Sequence, residues 1–242
     1  VPVYGGGLFT REYAKNHRAE LEYVYGRLAD GKSRQTFKNV IEYKITGKPE
    51  YLFVCEADTD EPYESFLRLS RNEHFFDLGA YNGDTVSDFV GRTGNYGSIT
   101  AVEPDPKNFK KLTRFAEELQ DIRLINACIS DNCGEKSFSV HGGRNSAAGG
   151  SELIRSVTVD ALSKPTPPTY IKMDIEGSES EAIRGAQNTI KAFKPKMLIS
   201  CYHRTEDLFK LPIEVDKIRN DYKLYLRHFP SVPAWEMNYY FI

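Results

Sequence analysis

The chain has 242 residues, 40% hydrophobic and 27% charged, with a formal net charge of −2. That length buries a sizeable core without disulfide staples, so one main domain is the default. Near-neutral charge argues against the basic face that nucleic-acid phosphates demand, and no run approaches the roughly 18 apolar residues that span a bilayer.

The opening Val-Pro-Val-Tyr-Gly-Gly-Gly has neither a basic n-region nor an apolar h-region, so a soluble, cytoplasmic protein without membrane contact is expected. A start at Val1 leaves open that targeting information has been lost. From Thr10 to Leu28, apolar residues at Leu21, Val24, Tyr25 and Leu28 predict one helix face, with Gly31 as a stop. Phe37, Val40, Ile41 and Ile45 predict a second helix ending at Gly47, and a short third starts at Pro62. Residues 1–72 are therefore expected to form a helical cap. It packs on a sheet edge, or serves as a lid or as the surface of a homo-oligomer.

From His74 onward short β-rich runs alternate with helical segments, the pattern of a parallel α/β sheet. Strands are predicted at 73–78, 98–103, 122–127, 168–174, 196–202, 222–228 and 235–242. Helices are predicted at 83–92, 106–119, 178–192 and 205–219. Only Phe229 to Ala234 separate the last two strands, so these should pair as an antiparallel edge hairpin. The glycine-rich run 141–151 and the proline-rich turn 163–168 stand outside the alternation. Cys55, Cys128, Cys133 and Cys201 show no metal-ligand spacing and are expected to be buried free thiols in a reducing compartment.

Ligands of open parallel sheets bind beyond the carboxyl ends of the strands, where strand order reverses. Asp77, Glu103, Asp174 and His203 fall at four predicted strand ends. The turn after the first strand, Asp77-Leu-Gly79-Ala80-Tyr81-Asn82-Gly83-Asp84, lacks the close glycine pair of a dinucleotide site. Asp84 at the start of the following helix would repel a pyrophosphate. A ligand carrying a sulfonium and an ammonium but no phosphate suits this acidic turn, and S-adenosylmethionine is that ligand. Glu103 would accept hydrogen bonds from its ribose hydroxyls.

Phe-Phe-Asp-Leu-Gly-Ala-Tyr-Asn-Gly-Asp-Thr, Val-Glu-Pro-Asp-Pro, Tyr-Ile-Lys-Met-Asp-Ile-Glu-Gly-Ser-Glu and Cys-Tyr-His-Arg-Thr-Glu-Asp-Leu together resemble the FkbM family of S-adenosylmethionine-dependent methyltransferases. The resemblance covers residues 73–242. It implies a class I methyltransferase (Rossmann-like) fold, a methyltransferase domain over 73–242, and methylation of a hydroxyl on a sugar, glycan or secondary metabolite. Residues 77, 79–84 and 103 would then hold the cofactor together with Asp174, and Asp131 falls where class I enzymes commonly contact adenine.

Methyl transfer from a sulfonium leaves mainly positioning and the removal of one proton to the protein. His203, with an unperturbed pKa of roughly 6.5, is the candidate base. Lys172 and Asp174, two apart on a strand, share a face and can pair. Asp174 and Glu176 would orient the acceptor, ligate a metal or complete the turn, and no metal is assigned. Glu176 precedes a helix whose start is marked by the capping box Ser178-x-x-Glu181. Two alternatives stay open: a cofactor-binding module without transferase activity, and an NAD-dependent oxidoreductase, which the glycine spacing disfavours.

Overall fold

The computed structural model describes residues 8–139, 147–148 and 152–242. Two compact units divide the chain, Val1–Arg68 with Leu198–Ile242 and Leu69–Met197. No helix among the described residues is long and apolar enough to cross a membrane. The glycine-rich run at 141–151 lies, except for residues 147–148, outside the described residues.

The N-terminal segment carries helices α1 (Arg11–Asn16), α2 (Arg18–Arg27), α3 (Gly31–Thr46) and α4 (Glu50–Phe53) and a π-helical turn, Tyr63–Leu67. The single helix expected over 10–28 is broken at His17, whose ring stacks on Phe209 at 4.7 Å instead of continuing the helix face. Asp30 starts α3 by accepting the Ser33 N–H at 2.7 Å, and Gly47, at φ 72°, ends it.

The second unit follows in chain order. It holds β1 (His74–Leu78), α5 (Asp84–Thr93), β2 (Ser98–Val102), α6 (Pro106–Phe115) and β3 (Ile122–Ile125). Four short strands come next: β4 (Cys128–Ile129), β5 (Gly134–Ser139), β6 (Ala147–Ala148) and β7 (Glu152–Val157). Then come α7 (Val159–Leu162), β8 (Tyr170–Met173), α8 (Glu179–Gly185) and α9 (Gln187–Phe193). Strand β9 (Lys196–Ser200) leads back into the first unit, which closes with α10 (Asp207–Ile218), β10 (Leu224–His228) and β11 (Met237–Phe241).

Strand order in the main sheet is β10-β11-β9-β8-β1-β2-β3. β1 pairs in parallel with β2 on one side and β8 on the other, so order reverses at the β1–β8 pair. The β10–β11 pair is antiparallel, as the short connection requires. β1 and β2 are buried on both faces from their second residue onward. Phe75 is buried between Phe89 (4.4 Å) and Tyr170 (4.9 Å). In the first unit Arg227 is buried, with Glu61 accepting from Nε (2.6 Å) and Nη2 (2.8 Å), Asp30 from Nη2 (2.7 Å) and Ser33 from Nη1 (2.8 Å).

Three expectations need correction. A second sheet, ordered β4-β7-β5-β6, occupies the stretch between β3 and α7 where only loops were expected. Cys133 is exposed beside it, while Cys55, Cys128 and Cys201 are buried, and all four thiols are free. The capping box at Ser178 does not form: Ser178 makes no side-chain cap, and Glu181 is held by Lys136 of β5.

Candidate active site

The turn between β1 and α5 is shaped by two glycines. Gly79 has φ +87°, and a Cβ there would lie 1.9 Å from the carbonyl oxygen of Asp174. Backbone therefore presses on backbone at the β1–β8 switch point. Gly83, at φ +95°, lies against the Phe115 ring and leads into α5. Between them Tyr81 also takes a left-handed φ of 47°, and Lys111 Nζ stands 5.7 Å from its ring centroid. Ala80 is buried, and Asn82 accepts the Asp84 N–H at 3.3 Å.

Register sets Asp77 directly beside Lys172 across β1 and β8. The Lys172 Nζ lies 3.6 Å from Asp77 Oδ1 and 3.7 Å from Asp174 Oδ2. Asp77 is fully buried, and neither of its oxygens has a hydrogen-bond partner among the described residues. Burial pushes its carboxyl up to about 6, with the like charges of Asp84 and Asp174 adding to the rise and Lys172 opposing it. Burial works to lower Lys172, but the three carboxylates outweigh it and hold its pKa above the usual lysine value.

Glu103 follows β2 and is buried. Its Oε2 accepts the Tyr81 N–H and its Oε1 the Asp105 N–H, both at 2.9 Å. Burial raises its carboxyl to about 7 even though these two bonds favour the charged form. One lone pair on each oxygen is thus spoken for, and each retains a second. Asn126 Nδ2, from the strand end next door, bonds the carbonyls of Glu103 (2.9 Å) and Pro104 (3.0 Å), which fixes the segment.

The second unit thus brings together Asp77, Lys172 and Asp174 at one place and Tyr81 with Glu103 beside it. Glu176 is half-buried and left-handed at φ 55°, followed by Gly177 at φ 89°. Glu179 has a larger structural part than its place in the motif suggested. It is fully buried, and its Oε1 closes the turn by accepting the Ile175 N–H at 3.0 Å. Asp131 is exposed, paired with Arg184 at 3.1 Å and accepting from Asn132 at 3.0 Å. His203 belongs to the first unit. β9 ends at Ser200, so His203 stands on the turn before α10 rather than at the strand end, half-buried, with its ring 4.2 Å from that of Tyr202.

The family model of the Methyltransferase FkbM domain matches residues 77–224. The chain is similar to the crystal structure of Methyltransferase FkbM from Methylobacillus flagellatus KT, with 30% identity and a TM-score of 0.84, over 96% of this chain and 60% of that one. It therefore spans less than two thirds of that relative's length. Weaker likenesses are to precorrin-6y C5,15-methyltransferase from Geobacter metallireducens GS-15 (12% identity, TM-score 0.46, 72% of this chain and 81% of that one) and to Aeropyrum pernix fibrillarin with natively bound S-adenosyl-L-methionine (14%, 0.46, 72% and 67%). At that distance neither bears on the chemistry of this chain. No protein of curated function matches it.

Proposed function

The chain belongs to the FkbM methyltransferase family, and on that premise we propose that it transfers a methyl group from S-adenosylmethionine to a hydroxyl oxygen of a sugar, glycan or secondary metabolite. The observation that carries the reading is Asp77, a fully buried carboxylate with no hydrogen bond on either oxygen among the described residues, at a strand end where Asp84 and Asp174 outnumber the cation Lys172. Such a turn suits a cationic ligand and disfavours a phosphate. The residues fit the cofactor in two further respects. Gly79 and Gly83 hold the turn in a form that side chains would block, and Glu103 keeps a lone pair on each oxygen for ribose hydroxyls.

When bound, the cofactor supplies an activated methyl on sulfur. The chain's own part is to bind, orient and deprotonate. Asp77 and Asp84 attract the ammonium, and Lys172 keeps the β1 and β8 carboxylates from repelling one another. Asp174 and Glu176 orient the acceptor hydroxyl. His203 accepts the hydroxyl proton, a general-base contribution of about 10² to 10⁴ in rate.

Calorimetry is the first test: S-adenosylmethionine and S-adenosylhomocysteine should bind, and NAD should not. A labelled-methyl screen over sugars, glycosides and small alcohols then finds the acceptor. Absence of binding by both adenosyl ligands refutes the proposal.

A further inference from the structure

We propose that the free edge of β3 is a docking site for an extended acidic peptide segment of a partner protein. In the second unit a groove of about 790 Å³ runs along this edge, with Arg123, Leu124 and Asn126 on one side and Cys133, Arg155 and Leu162 among the residues opposite. β3 is the last strand of the main sheet and, among the described residues, pairs only with β2.

The ladder fixes which main-chain groups are free. Asp121 and Ile125 give their carbonyls to Ile99 and Glu103 of the β2 side, so odd-numbered residues bond inward. By the alternation of a parallel ladder, Ile122, Leu124 and Asn126 direct their N–H and C=O groups outward, along the groove. Leu124 has no backbone partner there among the described residues. An unpaired edge of this kind is a template for strand addition, in which the main chain supplies affinity and side-chain pockets supply selectivity.

Charge selects the occupant. None of the groove-lining residues is acidic, and two are arginines, Arg123 of β3 and Arg155 of β7. Arg123 is exposed and spends one N–H on the Leu162 carbonyl at 3.3 Å. Arg155 is exposed on β7 across from Glu135 of β5, and its side chain makes no hydrogen bond or ion pair with a described residue. On a chain of net charge −2 this is a local positive groove, suited to carboxylates alternating along a strand. Leu124 and Leu162 give the intervening apolar side chains something to rest on.

Cys133 supplies the readout. It is the one exposed thiol of the four, so alkylation of the native protein by iodoacetamide reports the groove. A short synthetic peptide alternating glutamate and valine is expected to slow that alkylation, by about tenfold at ten times its Kd, where about one site in eleven is free. The same peptide with glutamine for glutamate, and inorganic phosphate alone, should protect far less. The doubly substituted R123E/R155E protein should bind the acidic peptide about tenfold more weakly or worse. Both side chains are exposed, so its thermal midpoint should stay near that of the parent; if it fails to fold, R123Q/R155Q takes its place. Unchanged alkylation with the acidic peptide, equal protection by phosphate, or undiminished binding to the charge-altered protein would each overturn the proposal.

Discussion

Cofactor affinity should depend on pH through Glu103. Its carboxyl is raised to about 7 by burial, so it changes charge within the working range of an ordinary buffer series. If the ionised form accepts the ribose hydroxyls, the apparent Kd scales inversely with the fraction ionised. That makes binding about tenfold weaker at pH 6 than at pH 8. Asp77, at about 6, adds a further factor of about two at pH 6. Glu103→Gln separates the two. An amide cannot accept both the Tyr81 and the Asp105 N–H, so affinity falls at every pH, while the dependence shrinks to the twofold share of Asp77. The same group leaves a mark on stability. Its folded pKa lies above the ordinary glutamate value of 4.5, so its contribution is complete below that pH and is lost as pH rises through about 7. For a carboxyl this buried the loss is about 3 kcal/mol, and Glu103→Gln should remove that slope from the unfolding curve of the ligand-free protein. Calorimetric titrations at pH 6, 7 and 8 are the assay. A flat Kd in the parent, or a tenfold slope that survives in the glutamine variant, would refute the reasoning.

Arg227→Met leaves Asp30 without its cation and Glu61 with the more distant Lys32, 3.6 Å away; both acids are part-exposed, so the loss should fall near about 3 kcal/mol, read as a lower urea midpoint. Gly79→Ala puts a methyl 1.9 Å from the Asp174 carbonyl in a left-handed backbone, and should destabilise by about 3 kcal/mol or more and abolish binding of S-adenosylmethionine. His203→Ala should keep cofactor affinity and lose about 10² to 10⁴ in turnover at saturating acceptor; unchanged turnover removes His203 from the base role.

The main sheet was legible because its signals are local. Apolar runs bounded by glycine or proline placed β1, β2, β8 and the edge hairpin, with ends differing from expectation by a few residues at most. The second sheet escaped because β4 and β6 are two residues long, β5 (GEKSFS) is mostly polar, and Leu153 of β7 is 70% exposed. Nothing in such a pattern separates a strand from a loop. Long-range partners misled in the same way. Ser178 and Glu181 have capping-box spacing, yet Lys136, 45 positions before Glu181, takes the carboxylate. At the site, the Lys172–Asp174 contact follows from a period of two and could be expected. The Asp77–Lys172 pair depends on the β1–β8 register, which no local rule supplies. The reach of Glu103 to the Tyr81 N–H likewise needed the three-dimensional turn.

The contact between Gly79 and the Asp174 carbonyl also bears on how this site could change over generations. The spacing of the β1 and β8 ends is set by main chain against main chain at Gly79 and Asp174. Substitutions at Asn82 or Glu176, both part-exposed, can therefore alter what the mouth of the turn recognises while its frame stays put. Glycine at 79 is the fixed term, and diversity in the acceptor can accumulate around it.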